Sequence, residues 1–155
     1  MADLTSTDHR ILKALQHDSG ITNVELADQV GMSPSPCLRR VKQLEAAGVI
    51  RRYVALLDRH QMGLGIVAYV QVKVPQVASE SIVDRFKEAV RRERAIVGCY
   101  VTAGQFDFLL KVIARDMDAY SVLAQHVLLK LPGVQDMRSS FVLEAIKDTT
   151  ELPLG

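Results

Sequence analysis

The sequence predicts an α+β protein in two parts, a helical N-terminal part and a mixed strand-and-helix part. Two observations predict it. Residues 1–52 show only the helical apolar period, whereas residues 66–147 alternate between strand-like and helix-like segments. The join at Leu57–Gly65 holds Asp58, His60, Gly63 and Gly65, the composition of a turn or linker. The expected boundaries are therefore 1–52, a linker strand or hinge at 53–64, and 65–155.

The first helix is expected near Thr7, a good N-cap with Asp8 in the first turn, and Ile11, Leu12 and Leu15 form its stripe. A second opens with the capping box Thr22-Asn23-Val24-Glu25 and buries Val24, Leu26, Ala27 and Val30. Gly31 reads as its C′ residue. Ser33-Pro34 reads as N-cap and N1 of a third helix ending at Gly48, and Pro36 still lies in the tolerant first turn. The short connection between the second and third helices, with its glycine, fits a helix-turn-helix.

On a helical wheel Cys37, Leu38, Val41 and Leu44 form the third helix's apolar seam. Ser35, Arg39, Lys42 and Gln43 lie opposite, with Pro36 and Arg40 flanking. A basic, hydrogen-bonding outer face with an open N-terminal turn is what a recognition helix needs in a major groove. From Leu38 to His60 there are six Arg or Lys against two acids, a local charge of +4 in a chain of net charge +1. Arg39, opposite the seam, is expected at base edges; Arg40, Lys42 and Arg51 suit phosphates, with Ser35 and Pro36 at the helix opening. Any three-helix unit has a solvated face, so a plain bundle is the alternative at this point. The β-prone run Val49–Leu56 reads as a wing beside DNA or as a linker strand.

The second half reads βαββαβ: strand Ile66–Val74, helix Ser79–Arg94, strands Ile96–Ala103 and Asp107–Ala114 about a turn at Gly104-Gln105-Phe106, a helix capped by Asp116, and strand Arg138–Ile146. This is the order of a ferredoxin-like domain, an antiparallel sheet with both helices on one face. Val67, Tyr69 and Val97 would then lie on the uncovered face, which points to homo-oligomerisation.

The 155 residues allow one or two small domains. With 48% hydrophobic and 24% charged residues the chain can build a core, and with 5% aromatics and no Trp that core is Leu, Val, Ile and Ala. No charge-free stretch approaches the ~20 residues of a membrane helix, and the N-terminus has neither the basic nor the apolar region of a secretory signal. Cys37 and Cys99 form no CxxC pair, so a cytoplasmic location with reduced thiols is expected. His9, His17, His60 and His126 lack metal spacing, and no glycine loop for phosphate is present. No catalytic residue, metal or cofactor is expected.

Taken together, Thr7-Asp8-His9-Arg10-Ile11-Leu12, Asn23–Ala27, Ser33-Pro34-Ser35-Pro36-Cys37-Leu38-Arg39-Arg40, Leu44–Ile50, Gly104–Leu110 and Leu131-Pro132-Gly133-Val134 resemble the Lrp/AsnC (feast/famine) transcriptional regulators over essentially the whole chain. The Ser-Pro-Ser-Pro-Cys-Leu-Arg-Arg run is similar to the leucine-responsive branch. The resemblance implies a nucleoid-associated regulator that binds double-stranded DNA, dimerises through the sheet domain and assembles further, commonly to an octamer. It also implies an amino-acid effector such as leucine or methionine, held between dimers beside the turn that here is Thr102–Asp107, Phe106 included. At that turn Gly104 and Gln105 can offer N–H groups to a carboxylate, Asp107 can accept from an ammonium, and Thr102 adds a hydroxyl. By family analogy a neighbouring subunit adds Ser139 and Ser140. Where the family often has Gly-Asp-Tyr/Phe-Asp, this chain has Gln105, which leaves the effector's identity open. The alternatives are an architectural DNA-binding protein without an effector, and a metabolite enzyme on the same sheet fold.

Overall fold

The computed structural model describes residues 3–75 and 80–154. The chain divides into two compact units, one holding residues up to Leu56 together with the tail from Lys147 onward, the other spanning Leu57–Ile146.

In the first unit α1 runs Ser6–His17, α2 Asn23–Gln29 and α3 Pro34–Ala46. The cap of α1 is Thr5, two residues before the expected Thr7. Asp8 closes a capping box on Thr5, accepting its backbone N–H at 2.7 Å, while Thr7 only accepts from Arg10 at 3.2 Å. The expected box on α2 forms, with the Thr22 N–H donating to Glu25 Oε2 at 3.0 Å. Both α2 and α3 end in the same way. Gly31 (φ 68°) and Gly48 (φ 71°) take the left-handed conformation, and the next residue donates back into the helix: Met32 to the Ala27 carbonyl at 2.8 Å, Val49 to that of Leu44 at 3.0 Å.

Ile11, Leu12, Ala14, Leu26, Ala27, Val30, Cys37, Val41 and Leu44 form this unit's core. Two expected core residues are outside it. Val24 is 64% exposed and Leu38 43% exposed, because each sits at the edge of its helix's apolar arc and nothing covers that edge. Residues 51–57 join no sheet, so of the two readings of the Val49–Leu56 run, wing or linker strand, neither forms a ladder and the segment is irregular chain. The tail, expected with the second half, packs on the first unit instead. The Gln16 side chain donates to the Leu152 carbonyl at 3.2 Å and accepts its N–H at 2.7 Å, and Leu154 packs against the core.

In the second unit β1 spans Ile66–Lys73, α4 Glu80–Arg92, β2 Ile96–Val101, β3 Phe108–Ala114, α5 Met117–His126 and β4 Asp136–Phe141, with a short 3-10 turn at Leu128–Lys130. The expected helix start at Ser79 lies outside the described residues. The sheet order is β2-β3-β1-β4, with every neighbouring pair antiparallel. Ala68, Val70, Val72, Leu110 and Val112 point to one face, where Phe86 of α4, Tyr120 of α5 and Leu128 complete a buried core. Asp116 caps α5 as expected, accepting the Ala119 N–H at 2.8 Å. The last strand is shifted from the expected Arg138–Ile146. It pairs with β1 from Asp136 to Phe141, and Leu143 and Ile146 beyond it are exposed, because β1's partners end there. On the opposite face Val67 is already buried within the single chain, whereas Tyr69 and Val97 are exposed.

Candidate nucleic-acid interface and glycine-turn cleft

The placement of α3 follows from three kinds of contact. Cys37, Val41 and Leu44 enter the core. Asn23 of α2 donates to the Pro34 carbonyl at 2.8 Å, tying the two helices across the turn. The third contact is ionic: Arg40 donates through Nε to Asp8 Oδ1 and through Nη2 to Asp8 Oδ2 at 2.6 Å, and its Nη1 reaches Gln43 Oε1 at 3.1 Å. Asp8 is fully buried, and its carboxylate also accepts the Thr5 hydroxyl at 2.7 Å. The guanidinium first, and Thr5 after it, hold the Asp8 carboxyl far below the usual carboxylate range against the cost of burial.

This arrangement revises the expected division of labour. Arg40, expected with Lys42 and Arg51 on phosphates, has its fork engaged inside the unit and braces α3 against α1. Ser35, Pro36, Arg39, Lys42, Gln43 and Arg51 are exposed, and Arg39, Lys42 and Arg51 form no ion pair with a described residue. The opening of α3 also differs from expectation. Pro34 and Pro36 carry no N–H and the Cys37 N–H goes to the Ser33 carbonyl at 3.1 Å, so the first turn offers the Ser35 N–H alone to an anion. The hydroxyl of Ser33 makes no capping hydrogen bond. After α3, the Tyr53 hydroxyl donates to Glu45 Oε1 at 2.8 Å, and partial burial with this bond pushes the phenol up to about 12.

In the second unit Gly104 (φ 136°) opens the turn between β2 and β3. The Thr102 N–H donates to the Asp107 carbonyl at 2.9 Å and the Thr102 hydroxyl to the Phe106 carbonyl at 2.9 Å. Asp107 faces the end of β1: its N–H donates to the Val72 carbonyl at 3.0 Å, and its Oδ2 accepts the Val74 N–H at 2.9 Å. Beside the turn lies a cleft of about 340 Å³ lined by Gln71, Thr102, Ala103, Gln105, Phe106, Leu109 and Arg138. The Arg138 guanidinium lies 5.6 Å from the centroid of the Phe106 ring.

Of the expected effector residues, the structure brings Thr102, Gln105 and Phe106 to this cleft. Gly104 shapes the turn without lining the cleft, and Asp107 is a strap between the turn and β1. Ser139 lies on the helix-covered face, hydrogen-bonded to the Tyr120 hydroxyl, while Ser140 is exposed on the open face opposite Tyr69. The sequence reading missed Gln71, Leu109 and Arg138. Alternation already set Gln71 on the open face, but only the register that pairs Gln71 with Arg138 joins them. Among the described residues no three His, Cys, Asp or Glu side chains converge as metal ligands, and no helix is long and apolar enough to cross a membrane.

Comparison with known proteins follows the two units. Residues 4–51 match the family described as winged helix-turn-helix DNA-binding. Residues 67–152 match the Lrp/AsnC ligand binding domain. The leucine-responsive regulatory protein of Escherichia coli (strain K12) is 41% identical over 150 residues, 97% of this chain and 91% of the relative. A transcriptional regulator of Neisseria meningitidis, solved as a complex with L-methionine, aligns with a TM-score of 0.94 at 44% identity over 97% of both chains. An AsnC family transcriptional regulator of Agrobacterium tumefaciens aligns at 0.92 and 37% identity, again over 97% of both.

Proposed function

The chain belongs to the Lrp/AsnC family of DNA-binding transcriptional regulators, and from that premise we propose how its residues divide the work. The exposed face of α3 reads double-stranded DNA. Arg39 contacts a base edge in the major groove, where a bidentate arginine–guanine pair gives about 1–3 kcal/mol of discrimination. Lys42 and Arg51 neutralise phosphates, and Gln43 with the Ser35 hydroxyl and N–H completes the polar contacts. The observation that carries this reading is the split within one helix. Arg40 is consumed by buried Asp8, while Arg39 and Lys42 stay exposed without acidic partners.

The second unit senses an amino acid beside the Thr102–Asp107 turn. Supporting this are the cleft itself and the L-methionine complex of the Neisseria relative, with the leucine response named in the Escherichia relative. The chain dimerises through the open sheet face and assembles to an octamer in the cytoplasm, on the nucleoid. An effector between dimers shifts assembly, and with it DNA binding, by its differential affinity for the two states. Native mass spectrometry and DNA-binding isotherms, each with and without leucine or methionine, test the reading. An assembly and an isotherm unmoved by every amino acid leave an architectural protein without an effector. No binding to promoter fragments at low salt removes the DNA assignment.

A further inference from the structure

We propose that Gln43 reads a guanine edge in the major groove as a donor only, because Arg40 holds its amide oxygen and turns its nitrogen outward. This inference rests on the DNA reading above and specifies one contact within it. Asp8, wholly buried, takes two nitrogens of the Arg40 guanidinium, Nε and Nη2. The Asp8 carboxylate is itself fixed by the Thr5 N–H and the Thr5 hydroxyl, both at 2.7 Å. Two prongs on one anchored carboxylate set the plane of the fork. The remaining nitrogen, Nη1, therefore emerges at a determined place, and there it donates to Gln43 Oε1 at 3.1 Å. The relay runs from buried Asp8, through Arg40, to a side chain exposed on the outer face of α3.

A glutamine is ordinarily ambivalent: its amide oxygen accepts, its nitrogen donates, and the two can exchange places. Beside a guanidinium this freedom ends. Arginine carries five donors and no acceptor, so the amide atom that faces Arg40 has to be the oxygen. The two N–H groups of Gln43 are left for whatever approaches the exposed face. Adenine recognition needs both amide atoms together, the nitrogen on N7 and the oxygen on the N6 amino group. That pairing is closed to a glutamine whose oxygen is held. Guanine offers N7 and O6, two acceptors and no donor, which matches an outward amide nitrogen. Arg39, one turn earlier on the same face, is also a donor only, so the face asks for acceptors at both points.

Selection of the full chain on a randomised duplex pool, followed by fluorescence anisotropy on single-base variants of the selected site, tests this. Gln43→Met marks the base pair that Gln43 reads, as the position where preference disappears. At that position wild type is expected to favour guanine over adenine by about tenfold. Arg40→Lys keeps a charge for Asp8 but has one nitrogen where the fork has three, so Gln43 is released. It is expected to bring adenine within about twofold of guanine at that position, with preferences elsewhere in the site unchanged. Gln43→Glu keeps an oxygen on Arg40 and presents an acceptor in place of the donors. It is expected to lose the guanine preference without disturbing the core, and it reads the proposal even where Arg40→Lys does not fold. An adenine preference in wild type, a guanine preference that survives in Gln43→Glu, or folded Arg40→Lys protein with an unaltered profile overturns the proposal. A Gln43→Met profile identical to that of wild type removes Gln43 from base reading altogether. Wild-type protein that binds no duplex at low salt ends the DNA reading itself, and this inference with it.

Discussion

Arg40 and Asp8, 32 residues apart, meet as a two-pronged ion pair in which the carboxylate is wholly buried and is also the closing residue of the α1 capping box. One side chain therefore fixes the start of the first helix and the position of the third. The orientation of the α3 face proposed to read DNA depends on a contact that lies behind it.

Substitution separates these two duties. Thr5→Ala removes the cap hydroxyl and is expected to cost about 1 kcal/mol. Asp8→Asn is expected to cost more, because it weakens the same cap and leaves the Arg40 fork without its counter-charge. Urea unfolding of the two variants, read by the midpoint at constant slope, gives the comparison. An Asp8→Asn protein as stable as Thr5→Ala would show that the pair adds nothing beyond the cap.

Acid acts on the same pair. The folded-state value of Asp8 lies below its ordinary 3.8, so its contribution is complete above that value and is lost as pH falls from there toward the lower folded value. The stability difference between wild type and Asp8→Asn is expected to be constant from pH 7 to about 5 and to shrink below about 4. A difference that holds constant down to pH 2.5 contradicts the assignment.

On DNA, Arg39 and Lys42 are expected to fail differently. Arg39→Ala flattens the preference among duplex sequences by about 1–3 kcal/mol. Lys42→Ala weakens all sequences about equally and reduces the salt slope by about 1. Fluorescence anisotropy over a panel of duplexes at several salt concentrations reads both; identical profiles for the two variants end the division of roles.

Asp107 is expected to behave as a strap. Asp107→Asn keeps an oxygen for the Val74 N–H and retains amino-acid affinity, whereas Asp107→Ala frees that donor and loses about fivefold, one hydrogen bond's worth. If asparagine is as damaging as alanine, the negative charge itself touches the ligand.

Deleting residues 148–155 removes both hydrogen bonds to Gln16 and the packing of Leu154. The first unit is expected to lose about 1 kcal/mol or more, with faster hydrogen exchange around the end of α1. Unchanged exchange in α1 would make the tail a bystander.

The sequence by itself determined what short-range chemistry controls. The box at Thr22-Glu25 and the cap at Asp116 depend on neighbours within four positions and form where the residues announce them, and Ser33-Pro34 marks the start of α3 although Ser33 makes no side-chain cap bond. The alternation Ala68, Val70, Val72 likewise named the face that packs against the helices. The cap of α1 was read at Thr7; the structure puts it at Thr5, where Asp8 closes the box. Tertiary structure decided everything that needs two distant segments to meet. Arg40 read as a DNA-facing cation because a helical wheel shows direction but not the partner beyond it. Arg138 escaped notice because strand register is set by pairing across 67 residues of chain, which local periodicity does not encode. The tail's return to the first unit depends on Gln16 and Leu152, 136 residues apart. Local dihedral preferences are written residue by residue; contacts between remote side chains exist only once the folded chain has brought them together.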